Sequence, residues 1–347
     1  MGNGRTTVYN RITSKEKLSA VNPRNLELGE DFLDYLSSID RADSTIKQYA
    51  AILNIFWCWN EEYNGGKFYV DLKKREIAKF QNHAIKEWGW SSSRIRTVKS
   101  ALSSLGNYVE NILDDEYENF RPIIRKIESP TKAEVRQKSI FTEEELQTLL
   151  DCLVDKKKYK QACMLSLAMN SGRRKSELTR FKITYFSDSC LICDGALYKT
   201  PEQIRTKGHG SHGKMLHVYT LASPFKPYFD LWMEDRKRLG IYSPWLFPVT
   251  HGTDWENEPM NPDTLNSWAL TFTKILGKPF YWHSLRHFFT TKLSEANLPD
   301  SVIQDVVGWE SADMVKIYND TSTEASFEKY FGKDGIKNVR ASSLLDL

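Results

Sequence analysis

Arg173, Arg174, Lys207, His283, Arg286, His287 and Tyr318 stand in four short segments whose residue types suit work on an anionic centre. Asn170-Ser171-Gly172-Arg173-Arg174-Lys175-Ser176-Glu177-Leu178 ends an apolar helical run with a glycine and opens a new helix with arginine in its first turn. There a guanidinium meets phosphate oxygens as a bidentate fork beside free helix amides. In Trp282-His283-Ser284-Leu285-Arg286-His287 the spacing of three and four places His283, Arg286 and His287 on one helical face. Two histidines four apart also suit zinc, but no glutamate lies between them and Arg286 repels a cation. Arg205-Thr206-Lys207-Gly208 enters the turn Gly208-His209-Gly210-Ser211-His212-Gly213, from whose tip a lysine reaches into a cleft. Crowding by Arg174 and Arg286 tunes such a lysine toward acid catalysis. His209, His212 and His217 are too loosely spaced for a metal site. Finally, Val307-Gly308-Trp309 leads through a glycine turn into a short helix ending at Tyr318. A phenol, with an ordinary pKa of about 10, attacks phosphorus only where its proton is taken and the developing charge is stabilised. Singly, these segments also read as a solvated helix start, a hairpin lysine and a core tyrosine.

The elements that must position them are mostly helical. From Leu26 to about Leu113 apolar residues recur at helical spacing: Phe32, Leu33 and Leu36, then Ile46 to Trp57, then Ile95 to Tyr108. Asp43-Ser44 and Ser91-Ser92-Ser93 are expected as helix caps, and Asn64-Gly65-Gly66 as a turn. The aperiodic stretch around Pro122 and Pro130, rich in Lys and Arg, reads as an extended basic linker. Thr142 to Glu145 has capping-box spacing ahead of Leu146, Leu149, Leu150 and Leu153. Between about Tyr185 and Leu221 a small three-stranded sheet is expected. The fold class is therefore mainly α with a small antiparallel β-sheet. The expected divisions are a basic amino-terminal extension over residues 1–27, a helical domain over 28–118, the linker over 119–139, a second domain over 140–332 and a tail over 333–347.

At 347 residues the chain supports two cores, while 48 Lys and Arg against 45 Asp and Glu leave only +3, so any nucleic-acid affinity depends on how charge is sorted by face. Five scattered cysteines, Cys58, Cys152, Cys163, Cys190 and Cys193, read as reduced thiols, and the cytoplasm, with the nucleoid, is the expected location. No run approaches the ~18 apolar residues of a membrane span. Lys156, Lys157, Lys158 and Lys160 form a dense patch, equally compatible with solvent or phosphate.

In order and wording the four segments resemble the tyrosine recombinase, or phage integrase, family. His283-Ser284-Leu285-Arg286-His287 is similar to its His-x-Leu-Arg-His motif, and Ser171 to Leu178 to its Thr-Gly-x-Arg-x-Ser-Glu-Leu motif. Trp309 and Tyr318 stand nine positions apart, the family's separation. Ser44 to Tyr49 and Ser93 to Arg96 resemble the helix starts of its core-DNA-binding domain. The resemblance implies that Tyr318 attacks a DNA phosphate to give a 3′-phosphotyrosyl link, with Arg174 and Arg286 on the non-bridging oxygens. His283 would assist proton transfer, Lys207 would protonate the leaving 5′ oxygen, and Glu177 would brace the region. Trp309, where many members carry histidine, can donate one hydrogen bond but cannot shuttle a proton. Two departures bear on these assignments: Arg173 replaces an apolar residue before the catalytic arginine, and the long turn sets Lys214 beside Lys207 as an alternative; Arg174 and Lys207 are favoured.

No metal or other cofactor is implied. The implied partner is double-stranded DNA with paired recombination sites, bound by a homotetramer of two dimers that exchanges strands through a Holliday junction. Lys47, Arg94, Arg96, Lys99, Arg125 and Lys126 are the candidate DNA ligands, most of them for phosphate. With about 27 residues ahead of the helical domain, a simple Cre- or Xer-like architecture is expected. The tail, with Leu344, Leu345 and Leu347, is a candidate for docking on a neighbouring protomer. A type IB topoisomerase-like strand transferase, a catalytically silent DNA-binding protein of this fold and a histidine metallohydrolase are the competing readings.

Overall fold

The computed structural model describes residues 11–131, 139–206, 208, 213–250 and 258–320, together with the backbone of Phe331–Gly332 and Gly335–Ile336. The chain forms two compact units, Met1–Gln137 and, in the second, Lys138–Lys207 with Lys214–Leu347.

The first unit is helical: α1 (Lys15–Ser19), α2 (Pro23–Ser38), α3 (Asp43–Asn64), α4 (Lys74–Lys86) and α5 (Ser92–Ile112). Asn22 caps α2 by accepting from the Arg24 amide at 3.1 Å, with Pro23 at the first helical position. Helical structure thus begins ahead of residue 28, inside the stretch read as an extension. Ser91 caps α5 as expected, accepting from the Arg94 amide. The other expected cap is displaced: α3 already includes Asp43, and Ala42 precedes it with no side-chain bond. Asp43 instead places negative charge in the first turn, where the helix dipole favours it. The core joins Leu28, Phe32, Leu53, Phe56, Trp57, Val98, Leu102 and Leu105. The stretch from residue 119 is not simply extended: Phe120 and Ile124 are buried in this same core and residues Ile124–Lys126 make a 3-10 turn. Four apolar side chains there, Phe120, Ile123, Ile124 and Ile127, outweigh the basic character between them, because burying each removes apolar surface from water. Residues 132–138 lie outside the described ones.

The second unit opens with α6 (Glu143–Asp155), held by the expected capping box: the Glu145 amide donates to Thr142 Oγ1 and the Thr142 amide to Glu145 Oε2. α7 (Tyr159–Ser171) is the central helix, buried over most of its length, and α8 (Lys175–Leu178) is a single turn. The β region is more divided than expected. β1 (Leu191–Ile192), β2 (Leu197–Lys199) and β5 (Tyr219–Leu221) form the three-stranded antiparallel sheet in the order β1-β2-β5. β3 (Ile204–Thr206) and β4 (Lys214–Leu216) form a separate hairpin, with Thr206 opposite Lys214. α9 (Ala222–Leu239), α10 (Thr264–Leu276), α11 (Ser284–Glu295), α12 (Asp300–Val307) and α13 (Asp313–Tyr318) follow, then a small ladder of β6 (Phe331–Gly332) and β7 (Gly335–Ile336). One core gathers α6, α7, α9 and α10, and a second gathers Phe289, Leu293, Ile303, Val307, Trp309 and Tyr318. Among the described residues no helix is long and apolar enough to cross a membrane.

Candidate active site

α7 ends at Gly172, whose φ of 59° suits glycine; a Cβ there would lie 2.5 Å from Phe289 Cδ1. The absent side chain lets the end of α7 close onto α11, and the Gly172 carbonyl accepts from Arg286 Nη1 at 2.9 Å. α12 ends at Gly308, with φ 74°. Its last carbonyls, which have no partner within the helix, are met by two arginines: Arg173 donates to Val306 and Arg286 to Val307. Two helix ends, those of α7 and α12, thereby converge on a fully buried Arg286. Burial, with Arg174 and Arg173 beside it, pulls Arg286 down from its ordinary value to about 9, which still leaves it charged at neutral pH.

The two adjacent arginines separate cleanly. Arg173 is 2% exposed and donates to the Ser171 and Val306 carbonyls, and burial draws it down to about 10. Arg174 lies at the head of α8, its side chain 28% exposed, with Nη1 3.1 Å from Glu177 Oε1. Glu177 is buried: burial raises its carboxyl, but Arg173 and Arg174 outweigh that and hold it lowered.

Tyr318, 9% exposed, ends α13 with its hydroxyl 3.0 Å from His283 Nε2. Its ring lies 5.0 Å from that of Trp309, and the Arg286 guanidinium is 5.7 Å from it. Burial first, then the nearby His287, Arg286 and Arg174, pull His283 below its ordinary 6.5, so the imidazole is neutral at neutral pH. Trp309 is buried and its indole N–H has no hydrogen-bond partner among the described residues. A buried donor left unpaired, with the Arg286 guanidinium 5.1 Å from its ring, is a place for an anionic acceptor.

His283, Trp309 and Arg286 are thus gathered around Tyr318, with Arg286 also against the Trp309 ring, and Arg174 is near enough to act on His283 and Arg286 electrostatically. Lys207 lies outside the described residues; strand β3 ends one residue before it. Among the described residues no cluster of three or more His, Cys, Asp or Glu could hold a metal. His287 Nδ1 lies 3.2 Å from Asp320 Oδ2. Asp320, Thr291 and Ser294 were not singled out in the sequence; Thr291 and Ser294 continue a polar stripe along α11 from His283 and His287 at three- and four-residue steps, whereas Asp320, beyond α13, carries no such signal. In the lysine patch, Lys156, Lys157 and Lys158 are exposed, while Lys160 turns inward to the Pro248 carbonyl at 3.0 Å. Burial, with Arg236 adding to it, draws Lys160 down to about 8.

In the first unit Lys47, Arg94, Arg96, Arg125 and Lys126 are exposed. Arg94 covers the Trp90 ring at 4.3 Å and Arg96 donates to the Pro130 carbonyl at 2.8 Å. Lys99 is different: 8% exposed, it gives its ammonium to the Ile127 carbonyl, bracing residues 124–127 against α5. Arg96, Lys99 and Arg125 share a groove of about 460 Å³ with Ser100, Ser103 and Ser104.

Residues 139–325 match the phage integrase family, and residues 28–119 match the phage integrase N-terminal SAM-like domain. The chain belongs to the phage integrase family, the tyrosine recombinases. Among the relatives of this integrase-family chain, the SPbeta prophage-derived recombinase-like protein YomM of Bacillus subtilis (strain 168) is 30% identical over 283 residues, covering 79% of this chain and 80% of that protein. A tyrosine recombinase of Thermosipho africanus is 23% identical, over 86% of this chain and 96% of its own. The integrase fold is also shared with solved structures. The Tn1549 transposon integrase in complex with transposon right end DNA superposes with a TM-score of 0.62 at 16% identity, covering 87% of this chain and 98% of that one. A lambda integrase tetramer bound to a Holliday junction gives 0.60 at 18% identity, covering 85% and 77%.

Proposed function

We propose that this tyrosine recombinase cleaves and rejoins DNA at specific sites through a 3′-phosphotyrosyl link formed by Tyr318. The observation that carries the reading is the Tyr318 hydroxyl 3.0 Å from a His283 nitrogen, next to Arg286 and the unpaired Trp309 N–H. With His283 neutral and its Nε2 unprotonated, the phenol donates to the imidazole, which takes the proton as the oxygen attacks phosphorus. The Tyr318 O–P bond forms, the P–O5′ bond breaks, and the leaving oxygen takes a proton, a role that suits Lys207. Arg174 and Arg286 meet the non-bridging oxygens, and Trp309 donates one further hydrogen bond to them. Attack by the 5′ hydroxyl of a partner strand reverses each step and frees Tyr318. Because the phosphodiester energy is kept in the tyrosyl link, the exchange needs no nucleotide, and cationic side chains supply the charge stabilisation.

The partner is double-stranded DNA carrying paired sites, bound by a tetramer of two dimers that passes through a Holliday junction, in line with the lambda integrase relative. A cytoplasmic location, on the nucleoid, suits a protein whose substrate is DNA. The exposed cations Lys47, Arg94, Arg96, Arg125 and Lys126 of the first unit serve mainly phosphate. The names of the relatives do not favour a topoisomerase-like transferase or a silent DNA-binding protein. Incubation with a nicked suicide duplex tests the reading: the wild type gives a covalent protein–DNA band on a denaturing gel, and Tyr318→Phe gives none. A band from Tyr318→Phe excludes this nucleophile.

A further inference from the structure

α13 is six residues long, too short to be stable alone, and beyond Tyr318 the chain leaves the helix at Asn319, with φ −81° and ψ 116°. Something outside the helix must therefore fix where the Tyr318 hydroxyl sits. α11 supplies a single stripe for this, stepping along one face from His283 through His287 and Thr291 to Ser294. His283 meets the Tyr318 hydroxyl. His287 Nδ1 lies 3.2 Å from Asp320 Oδ2, and its ring packs against Tyr318 with centroids 4.5 Å apart. Thr291 Oγ1 accepts from the Asp320 amide at 3.0 Å, and Ser294 Oγ accepts from the Asn319 side-chain amide at 2.9 Å. Tyr318, Asn319 and Asp320 are thus each held by this one stripe, and the His287–Asp320 contact joins the two ionisable members.

We propose that His287 and Asp320 form a positioning pair for the nucleophile, locking the residue two places beyond Tyr318 onto α11 so that the phenol stays in register with His283. The proposal rests on the reading of Tyr318 as nucleophile. The pair is well placed for the task. The side chains are 15% and 8% exposed, so water competes weakly for them, and the His287 ring packs directly on that of Tyr318. A displacement of the phenol by about 1 Å is enough to slow chemistry on the order of 100-fold.

The test is a double-mutant cycle in the full chain, with His287→Gln, Asp320→Asn and the double variant. Three quantities are measured: single-turnover covalent complex formation at saturating suicide duplex, duplex affinity and melting temperature. Each single variant is expected to cleave roughly 10- to 100-fold more slowly. The double variant is expected to be no slower than the worse single one, with affinity and melting temperature close to wild type. Cleavage at the wild-type rate, rate losses that multiply, or losses matched by equal falls in affinity or melting temperature overturn the pair. Tyr318→Phe is run alongside: a covalent band there removes the nucleophile reading itself, whereas a pair that fails while Tyr318→Phe stays inactive removes only the pair.

Discussion

The cations of the two units are handled in opposite ways. In the second unit Arg286 and Arg173 are 0% and 2% exposed and donate between them to four backbone carbonyls, those of Ser171, Gly172, Val306 and Val307. In the first unit Lys47, Arg94, Arg96, Arg125 and Lys126 stand exposed. Desolvating a guanidinium costs several kcal/mol unless its donors are met, which explains why two helix ends turn their carbonyls toward this point. Charge fixed in this way needs no reorganisation as a reaction proceeds and acts across a low dielectric. Exposed charge works by screened attraction, additive from residue to residue and steeply dependent on salt.

The contrast is broken most directly at His283, the group on which the buried charges converge. Its neutral form is the base, so cleavage rises as pH climbs through its lowered pKa, and the acid limb of single-turnover cleavage falls below the ordinary 6.5. His283→Gln is expected to cost about 10²- to 10⁴-fold in rate and to abolish that limb. An unchanged limb in His283→Gln assigns it to another group.

The adjacent arginines sharpen the contrast within one segment. Arg174→Ala removes an open cation aimed at the phosphate, for an expected loss of about 10²- to 10³-fold in cleavage. It also removes one of the charges depressing His283, so the acid limb moves toward higher pH. Arg173→Ala strands the Ser171 and Val306 carbonyls and is expected to cost roughly 2–5 kcal/mol of unfolding free energy by denaturant titration. If Arg173→Ala folds normally and cleaves as slowly as Arg174→Ala, the two roles are reversed.

Much of this site was legible in the sequence because its chemistry is local. His283, Arg286 and His287 share a face by spacing alone, and Gly172 and Gly308 mark the helix ends that Arg286 joins. What could not be read was tertiary. Nothing local distinguishes Arg173 from Arg174; the difference arises when the Val306 carbonyl, from an element 133 positions away, meets one of them. Asp320 looks like a solvated loop residue until α11 packs beneath it. The β region was under-divided because strands two and three residues long carry too little alternation to count. Over residues 119–127 charge and proline mask apolar residues that lack a helical period, so the stretch reads as linker until Phe120 and Ile124 are seen in the core.

The smallest effects are expected in the first unit, and they test whether exposure alone marks a DNA ligand there. With Tyr318→Phe as background to prevent cleavage, affinity for an intact duplex is measured by anisotropy across a salt series. Lys47→Ala and Arg94→Ala are each expected to reduce the slope of log affinity against log salt by about 1, the mark of one lost phosphate contact. Lys99 supplies the internal control. It belongs to the same helix as Arg94 but gives its ammonium to the Ile127 carbonyl, and burial, with Arg96 adding to it, lowers its pKa. Lys99→Met, which keeps the stem and removes the charge, should leave the salt slope unchanged and lower the melting temperature, because the carbonyl loses its donor. A slope that falls as much for Lys99→Met as for Arg94→Ala means that this ammonium exchanges its carbonyl for phosphate when DNA arrives. The first unit then also holds charge in reserve within its fold, as the second does.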